Sequence, residues 1–78
     1  MSRPTATLYT RRHCHLCEEA AATLEAGGYA VEAVDIDADP ELRARYGHAV
    51  PVVIIGGKER FRLRVDAVLL RRLRRNRG

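Results

Sequence analysis

Cys14 and Cys17 are the only cysteines in the chain, and just His15 and Leu16 separate them. That spacing serves two chemistries: a pair of metal ligands, or a dithiol that opens and closes as a disulfide. The flanks bear on the choice. Ala6-Thr7-Leu8-Tyr9-Thr10, ahead of the pair, is β-prone. Residues 18–26, behind it, are strongly helix-forming and are stopped by Gly27-Gly28. The pair therefore falls where a strand hands over to a helix. Backbone N–H groups left unpaired in a first helical turn favour a thiolate over a thiol. Arg11, Arg12, His13 and His15 add positive potential. Thiols in such settings titrate at roughly 3.5 to 7.5 instead of about 8.5. Cys14 is expected to be the exposed nucleophile. Cys17, one turn deeper, is expected to be the resolving thiol.

The metal alternative is short of ligands. Zinc sites usually take four N or S donors. Cys14 and Cys17 with one of His13, His15 or His48 supply three, so neither a metal nor a cofactor is expected. A purely structural bridge is also a poor reading. A loop of two intervening residues constrains the unfolded chain little.

Several elements must position the pair. The first strand is expected over about residues 5–10 and the first helix over about 14–26, with Leu16, Ala20, Thr23 and Leu24 as its packing stripe. Residues 29–37 read as a second strand, parallel to the first because a helix connects them. Asp35, Asp37 and Asp39 alternate as in a calcium loop. Pro40 and Tyr46 stand where such a loop needs Gly and Glu, so that reading fails. Asp39 and Pro40 instead fit the cap and first position of a short helix that ends at Tyr46-Gly47.

Val52-Val53-Ile54-Ile55 reads as a buried strand with Pro51 at its start. Gly56-Gly57 is a hairpin signal. The returning strand, residues 60–65, alternates: Phe61, Leu63 and Val65 inward, Arg60, Arg62 and Arg64 outward as a charged edge. Asp66 caps a last helix, packed through Leu69 and Leu73 with Val68 or Leu70. Arg71, Arg72, Arg74, Arg75 and Arg77 crowd its later part. The order is βαβαββα, in one domain over residues 1–78.

Composition narrows the class. The chain has 78 residues, 46% hydrophobic and 31% charged, which suits a small soluble domain with a thin core. No apolar run approaches the roughly 18 residues of a membrane span. Met1-Ser2-Arg3-Pro4 leads straight into a strand without a signal-peptide pattern, so a cytoplasmic location is expected; the chain is also expected to be a monomer. Charge is uneven. Residues 1–50 hold five arginines against eight acids, net −3, and residues 51–78 hold eight arginines and one lysine against two acids, net +7.

Taken together, these residues resemble the glutaredoxin-like branch of the thioredoxin superfamily, in particular its small bacterial members. The resemblance is carried by Leu8-Tyr9-Thr10 ahead of Cys14-His15-Leu16-Cys17-Glu18, then Val34-Asp35-Ile36-Asp37, Tyr46-Gly47 and Val50-Pro51-Val52. It covers roughly residues 5–73. It implies an α/β thioredoxin-like fold: a four-stranded mixed sheet in order 2-1-3-4 with helices on both faces. It implies a cis bond at Val50-Pro51 beside the dithiol, with the Val50 backbone pairing an extended substrate. It implies a thiol–disulfide oxidoreductase. Arg12 and His15, cationic residues beside the pair, are expected to contact substrate together with Val50 and Pro51, and His15 to tune the dithiol.

Its partners would be a disulfide-containing protein or low-molecular-weight thiol, and a reductase or thiol that recycles it. Two departures stand out. His15-Leu16 replaces the Pro-Tyr that many relatives carry between the cysteines. Leu63-Arg64-Val65-Asp66 lacks the Gly-Gly that many use to hold glutathione, so the recycling thiol stays open.

A second function class is a redox-sensing module, or one that binds nucleic acid or an acidic partner through the arginine-rich helix. Nucleic acid is the weaker partner. The four aromatics, Tyr9, Tyr29, Tyr46 and Phe61, offer no evident base-stacking platform.

Overall fold

Strand β1 (Thr5–Thr10) occupies the interior of a four-stranded sheet. The structure is a computed structural model that describes residues 3–77, with side chains described through residue 75. After β1 come α1 (His15–Ala26), β2 (Ala30–Asp35), a 3₁₀ turn (Ile36–Ala38), α2 (Pro40–Tyr46), β3 (Val52–Ile55), β4 (Lys58–Arg62) and α3 (Ala67–Arg77). The sheet order is β2-β1-β3-β4, as the resemblance implied. β1 runs parallel to β2, from Thr5↔Ala30 to Thr10↔Asp35, and antiparallel to β3. Gly56 and Gly57 join β3 to β4 with φ of 62° and 79°, a turn that glycine makes without Cβ strain.

Strand periodicity divides the core in two. Ala6 and Leu8 of β1, Val53 and Ile55 of β3, and Phe61 of β4 face one side. There they meet Ala20 and Leu24 of α1, Tyr29, and Leu70 of α3. Tyr9, Val52 and Ile54 face the other side and meet Ile36, Leu42 and Tyr46. The Tyr9 and Tyr46 rings stack with centroids 4.9 Å apart. α3 approaches the end of α1 closely: a Cβ on Gly27 would lie 2.6 Å from Leu70 Cδ2. The Arg74 guanidinium lies 5.5 Å from the centroid of the buried Tyr29 ring, while Arg74 itself, like Arg71, Arg72 and Arg75, remains exposed.

Four expectations from the sequence need correction. The second strand stops at Asp35, because Asp35 turns its carboxylate onto the N–H of Asp37 and starts the 3₁₀ turn. On α1 the buried set is Cys17, Ala20 and Leu24, and Leu16 is left 38% exposed. On α3 Leu70 is buried and Leu73 half-buried, whereas Leu69 is 48% exposed and Val68 lies open beside it.

The fourth correction is β4. A bulge interrupts its pairing: Val53 faces Phe61, but Ile54 faces Glu59, which leaves Arg60 between them. In a regular strand residues three apart point to opposite faces. The extra residue puts Glu59 and Arg62 on one face instead. Arg62 then donates to Glu59 through Nε and NH2, and its guanidinium lies 5.8 Å from the Tyr46 ring centroid. That hydrogen bond holds the Glu59 carboxyl below its usual range, so the exposed pair is intact at neutral pH and is lost as acid protonates Glu59. The strand ends at Arg62. The Leu63 N–H still donates to Pro51 O at 2.7 Å, but Pro51 has no N–H to return and the ladder stops. Leu63 turns away with φ 71°, so the expected ladder of Arg60, Arg62 and Arg64 does not form.

The two leucines distinguish core from surface. Leu24→Ala should cost about 2–5 kcal/mol in urea unfolding, while Leu69→Ala should stay within about 0.5 kcal/mol.

Candidate active site

The turn between β1 and α1 sets the site. β1 ends at Thr10, and the chain reverses through Arg11-Arg12-His13, with His13 at φ 57°. This delivers Cys14 to the N-cap of α1 in extended conformation, φ −96° and ψ 102°. A cap residue normally offers an oxygen to the first free N–H groups. Here the Cys14 sulfur does so: Cys17 N donates to Cys14 Sγ at 3.1 Å. The Cys14 carbonyl accepts from Glu18 N at 3.2 Å and continues the helix.

Cys14 and Cys17 form a disulfide across the first turn, with Cα atoms 5.2 Å apart. Cys14 is half-buried and Cys17 is only 3% exposed. The outer sulfur is thus the accessible one. Once the bond is open, the Cys17 N–H and the positive end of the helix favour negative charge on Cys14.

An open cleft of about 200 Å³ borders the pair, lined among others by Thr10, Arg11, His13, Cys14, Cys17 and Glu18. Arg11 belongs to this lining, whereas Arg12 is exposed outside it. His15 is exposed on the first turn of α1, and His48 is exposed in the turn after α2. The Val50–Pro51 bond is cis. Pairing of Tyr9 with Val52 brings Pro51 to the end of the sheet from which Cys14 departs. Pro51 is buried and Val50 half-buried.

A latch that the sequence did not reveal holds the turn. Arg11 Nε donates to Asp37 Oδ2 at 3.1 Å, and its other nitrogens lie 3.0 Å from Asp37 Oδ1 and 2.9 Å from the Gly47 carbonyl. The partners are 26 and 36 residues away, so no local pattern could have marked them. The alternating acids now separate into three roles. Asp35 caps the 3₁₀ turn, Asp37 holds Arg11, and Asp39 caps α2 by accepting from Glu41 N. Among the described residues, no three His, Cys, Asp or Glu side chains gather where a metal ion could sit.

A dithiol capping a helix beside a cis-proline strand, in a 2-1-3-4 sheet, defines a thioredoxin-fold thiol protein. The chain belongs to the family described as Glutaredoxin-like domain (DUF836), which matches residues 5–73. An uncharacterized protein of Mycobacterium tuberculosis (strain ATCC 25618 / H37Rv) is 35% identical over 80 residues, covering 91% of this chain and 82% of that protein. A counterpart in Mycobacterium bovis matches equally.

Among solved structures, a structural genomics target protein from X. campestris superimposes with a TM-score of 0.78 at 37% identity, covering 91% of this chain and 96% of that one. NrdH-redoxin from Escherichia coli superimposes with a TM-score of 0.66 at 32% identity, covering 88% and 93%. That protein is described as glutaredoxin-like with a thioredoxin-like activity profile. Family and site together make this a redox protein of the thiol oxidoreductase kind, acting on disulfides or thiols. Among the described residues, no helix is long and apolar enough to cross a membrane.

The difference in burial has a direct readout. In the reduced protein, alkylation near pH 6 followed by peptide mapping should label Cys14 well before Cys17. Equal rates, or Cys17 first, would reverse their assignment.

Proposed function

We propose that the protein reduces disulfides by a two-thiol route, with Cys14 as nucleophile and Cys17 as resolving thiol. The observation that carries this reading is the Cys14 sulfur at the N-cap of α1, accepting from Cys17 N and bonded to the more deeply buried Cys17. In the first step the Cys14 thiolate attacks one sulfur of the substrate disulfide. A Cys14–substrate bond forms, the substrate S–S bond breaks, and the other sulfur leaves and takes a proton. Cys17, deprotonated, then attacks Cys14 Sγ and releases the second substrate sulfur. Two electrons and two protons pass to the substrate, and the protein is left with the Cys14–Cys17 disulfide.

The backbone at Val50, ahead of cis-Pro51, is our candidate for pairing with the substrate chain. Arg12 and His15 flank the approach. A reductase or a low-molecular-weight thiol in the cytoplasm returns the pair to the dithiol, and the protein works as a monomer. The likeness to NrdH-redoxin, with its thioredoxin-like activity profile, supports a recycling route that does not require glutathione. A second reading, a module for an acidic partner, draws on the exposed Arg71, Arg72 and Arg75 of α3. Binding of that kind would weaken steeply as salt rises, whereas disulfide reduction would respond to pH and to loss of Cys14.

Cys17→Ser should trap a covalent substrate adduct on Cys14, seen as an added mass. Cys14→Ser should abolish turnover. The wild-type pair should titrate between about −120 and −270 mV, the span of known Cys-x-x-Cys oxidoreductases. Substantial turnover by Cys14→Ser, or stoichiometric zinc on a wild-type pair that resists oxidation, would sink the reading.

A further inference from the structure

The Arg11 guanidinium meets acceptors on two separate segments. Nε donates to Asp37 Oδ2 at 3.1 Å and NH2 lies 3.0 Å from Asp37 Oδ1, a side-on pairing of fork and carboxylate. NH1 donates to the Gly47 carbonyl at 2.9 Å. Gly47 is the C-cap of α2, where the last carbonyls of a helix lack partners within it and favour a cation. Asp37 Oδ1 is closed off from solvent and accepts no aligned hydrogen bond, so the Arg11 charge beside it is its compensation.

The places of these contacts along the chain carry the inference. Arg11 lies three residues ahead of Cys14, and Gly47 lies three residues ahead of Val50. One guanidinium therefore ties the turn that carries the nucleophile to the loop that carries the candidate substrate-pairing backbone. That loop is fixed elsewhere by Ala49 N donating to Tyr46 O, and by Pro51 O accepting from Leu63 N. Neither of those bonds sets its distance from Cys14. Sheet pairing reaches the loop at Val52, opposite Tyr9, and β1 ends at Thr10. Among the described residues, no other hydrogen bond joins residues 11–14 to residues 47–51.

We propose that Arg11 is a positioning residue: by bridging Asp37 and the Gly47 carbonyl it sets the spacing between Cys14 and the Val50 backbone, and so governs reduction of polypeptide disulfides and not of small ones. The proposal deepens the oxidoreductase reading and rests on it. Arg11 takes no part in the bond exchange. A polypeptide whose cysteine reacts at Cys14 while its chain lies along Val50 meets both arms at once, so their spacing must match it. A small disulfide meets Cys14 alone.

Two substrates separate these roles: bis(2-hydroxyethyl) disulfide, and a disulfide-linked peptide with uncharged side chains, on which loss of a cation has no long-range effect. Misplacement by about 1 Å in a positioned reaction costs about 100-fold, so loosening one arm should lower kcat/KM on the peptide about tenfold and leave the small disulfide within about twofold. Arg11→Gln, Asp37→Ala and the double variant should each show that split. The double variant should be no worse than either single one, because all three cut the same latch. Asp37→Ala keeps the cation and frees it, so an Arg11 that touched substrate directly would leave the peptide rate unchanged in this variant. That result, or equal losses on the two substrates, overturns the proposal.

The Cys17→Ser protein separates the proposal from the reading beneath it. It can be loaded from the peptide's mixed disulfide with thionitrobenzoate: the Cys14 thiolate attacks the peptide sulfur, and thionitrobenzoate leaves. In that adduct the Val50 amide should exchange with deuterium about tenfold more slowly than in the unloaded protein. Adding Arg11→Gln should abolish the slowing. Slowing that depends on Arg11, with no reduction of either substrate by wild type, would keep the positioning role and remove the oxidoreductase reading. Reduction of both substrates, with the slowing unchanged in Arg11→Gln, would do the opposite.

Discussion

A helix must find acceptors for its first N–H groups, and one of them here ends on a sulfur. Cys14 stands at the N-cap of α1, and its Sγ takes the N–H of Cys17. The arrangement at the mouth of the site follows from that contact. It fixes Cys14 at the outer edge of the turn, orients Cys17 inward against the core, and sets the two sulfurs within bonding reach. The Arg11–Asp37–Gly47 latch serves the same end from the other side, tying the preceding turn to the 3₁₀ turn and to α2.

Pro51 organises the opposite flank by what it lacks. It accepts from Leu63 but has no N–H to give, so β4 ends where Pro51 begins. The chain that leaves β4 is turned back toward α1. One residue type thus limits the sheet, bounds the approach to the dithiol and determines which side chains border it. The bulge in β4 completes the edge by bringing Arg62 onto the α2 face, over Tyr46, and leaving Arg60 outside.

The order of elements was legible because its signals are local. Asp39-Pro40 and Asp66 cap α2 and α3 as read, and Gly56-Gly57 turns the hairpin. The cysteine pair at the strand-to-helix junction was legible for the same reason. Sheet order and the cis bond came from resemblance, since neither spacing nor propensity encodes them. What stayed hidden was phase and long-range pairing. Helical periodicity identifies a stripe but cannot choose between adjacent apolar residues such as Leu69 and Leu70. Alternation in β4 pointed Leu63 inward, but the strand ends at Arg62 and Leu63 leaves it at positive φ; the bulge at Arg60 shifts the phase of the residues before Phe61, with no compositional mark. The left-handed turn at Leu63 carried no glycine to announce it, and the partners of Arg11 lie too far along the chain.

The sulfur cap ties the stability of a helix to the oxidation state of the protein. A thiolate is a stronger acceptor than a disulfide sulfur, because the hydrogen bond is then charge-assisted. The N-terminus of α1 is therefore better satisfied when the pair is reduced. Thermodynamic reciprocity makes the relation run both ways: strain or loosening at the start of α1 shifts the equilibrium between dithiol and disulfide, and a change of redox state alters how firmly the first turn is held. The reduction potential and the fraying of one helical turn draw on the same free energy.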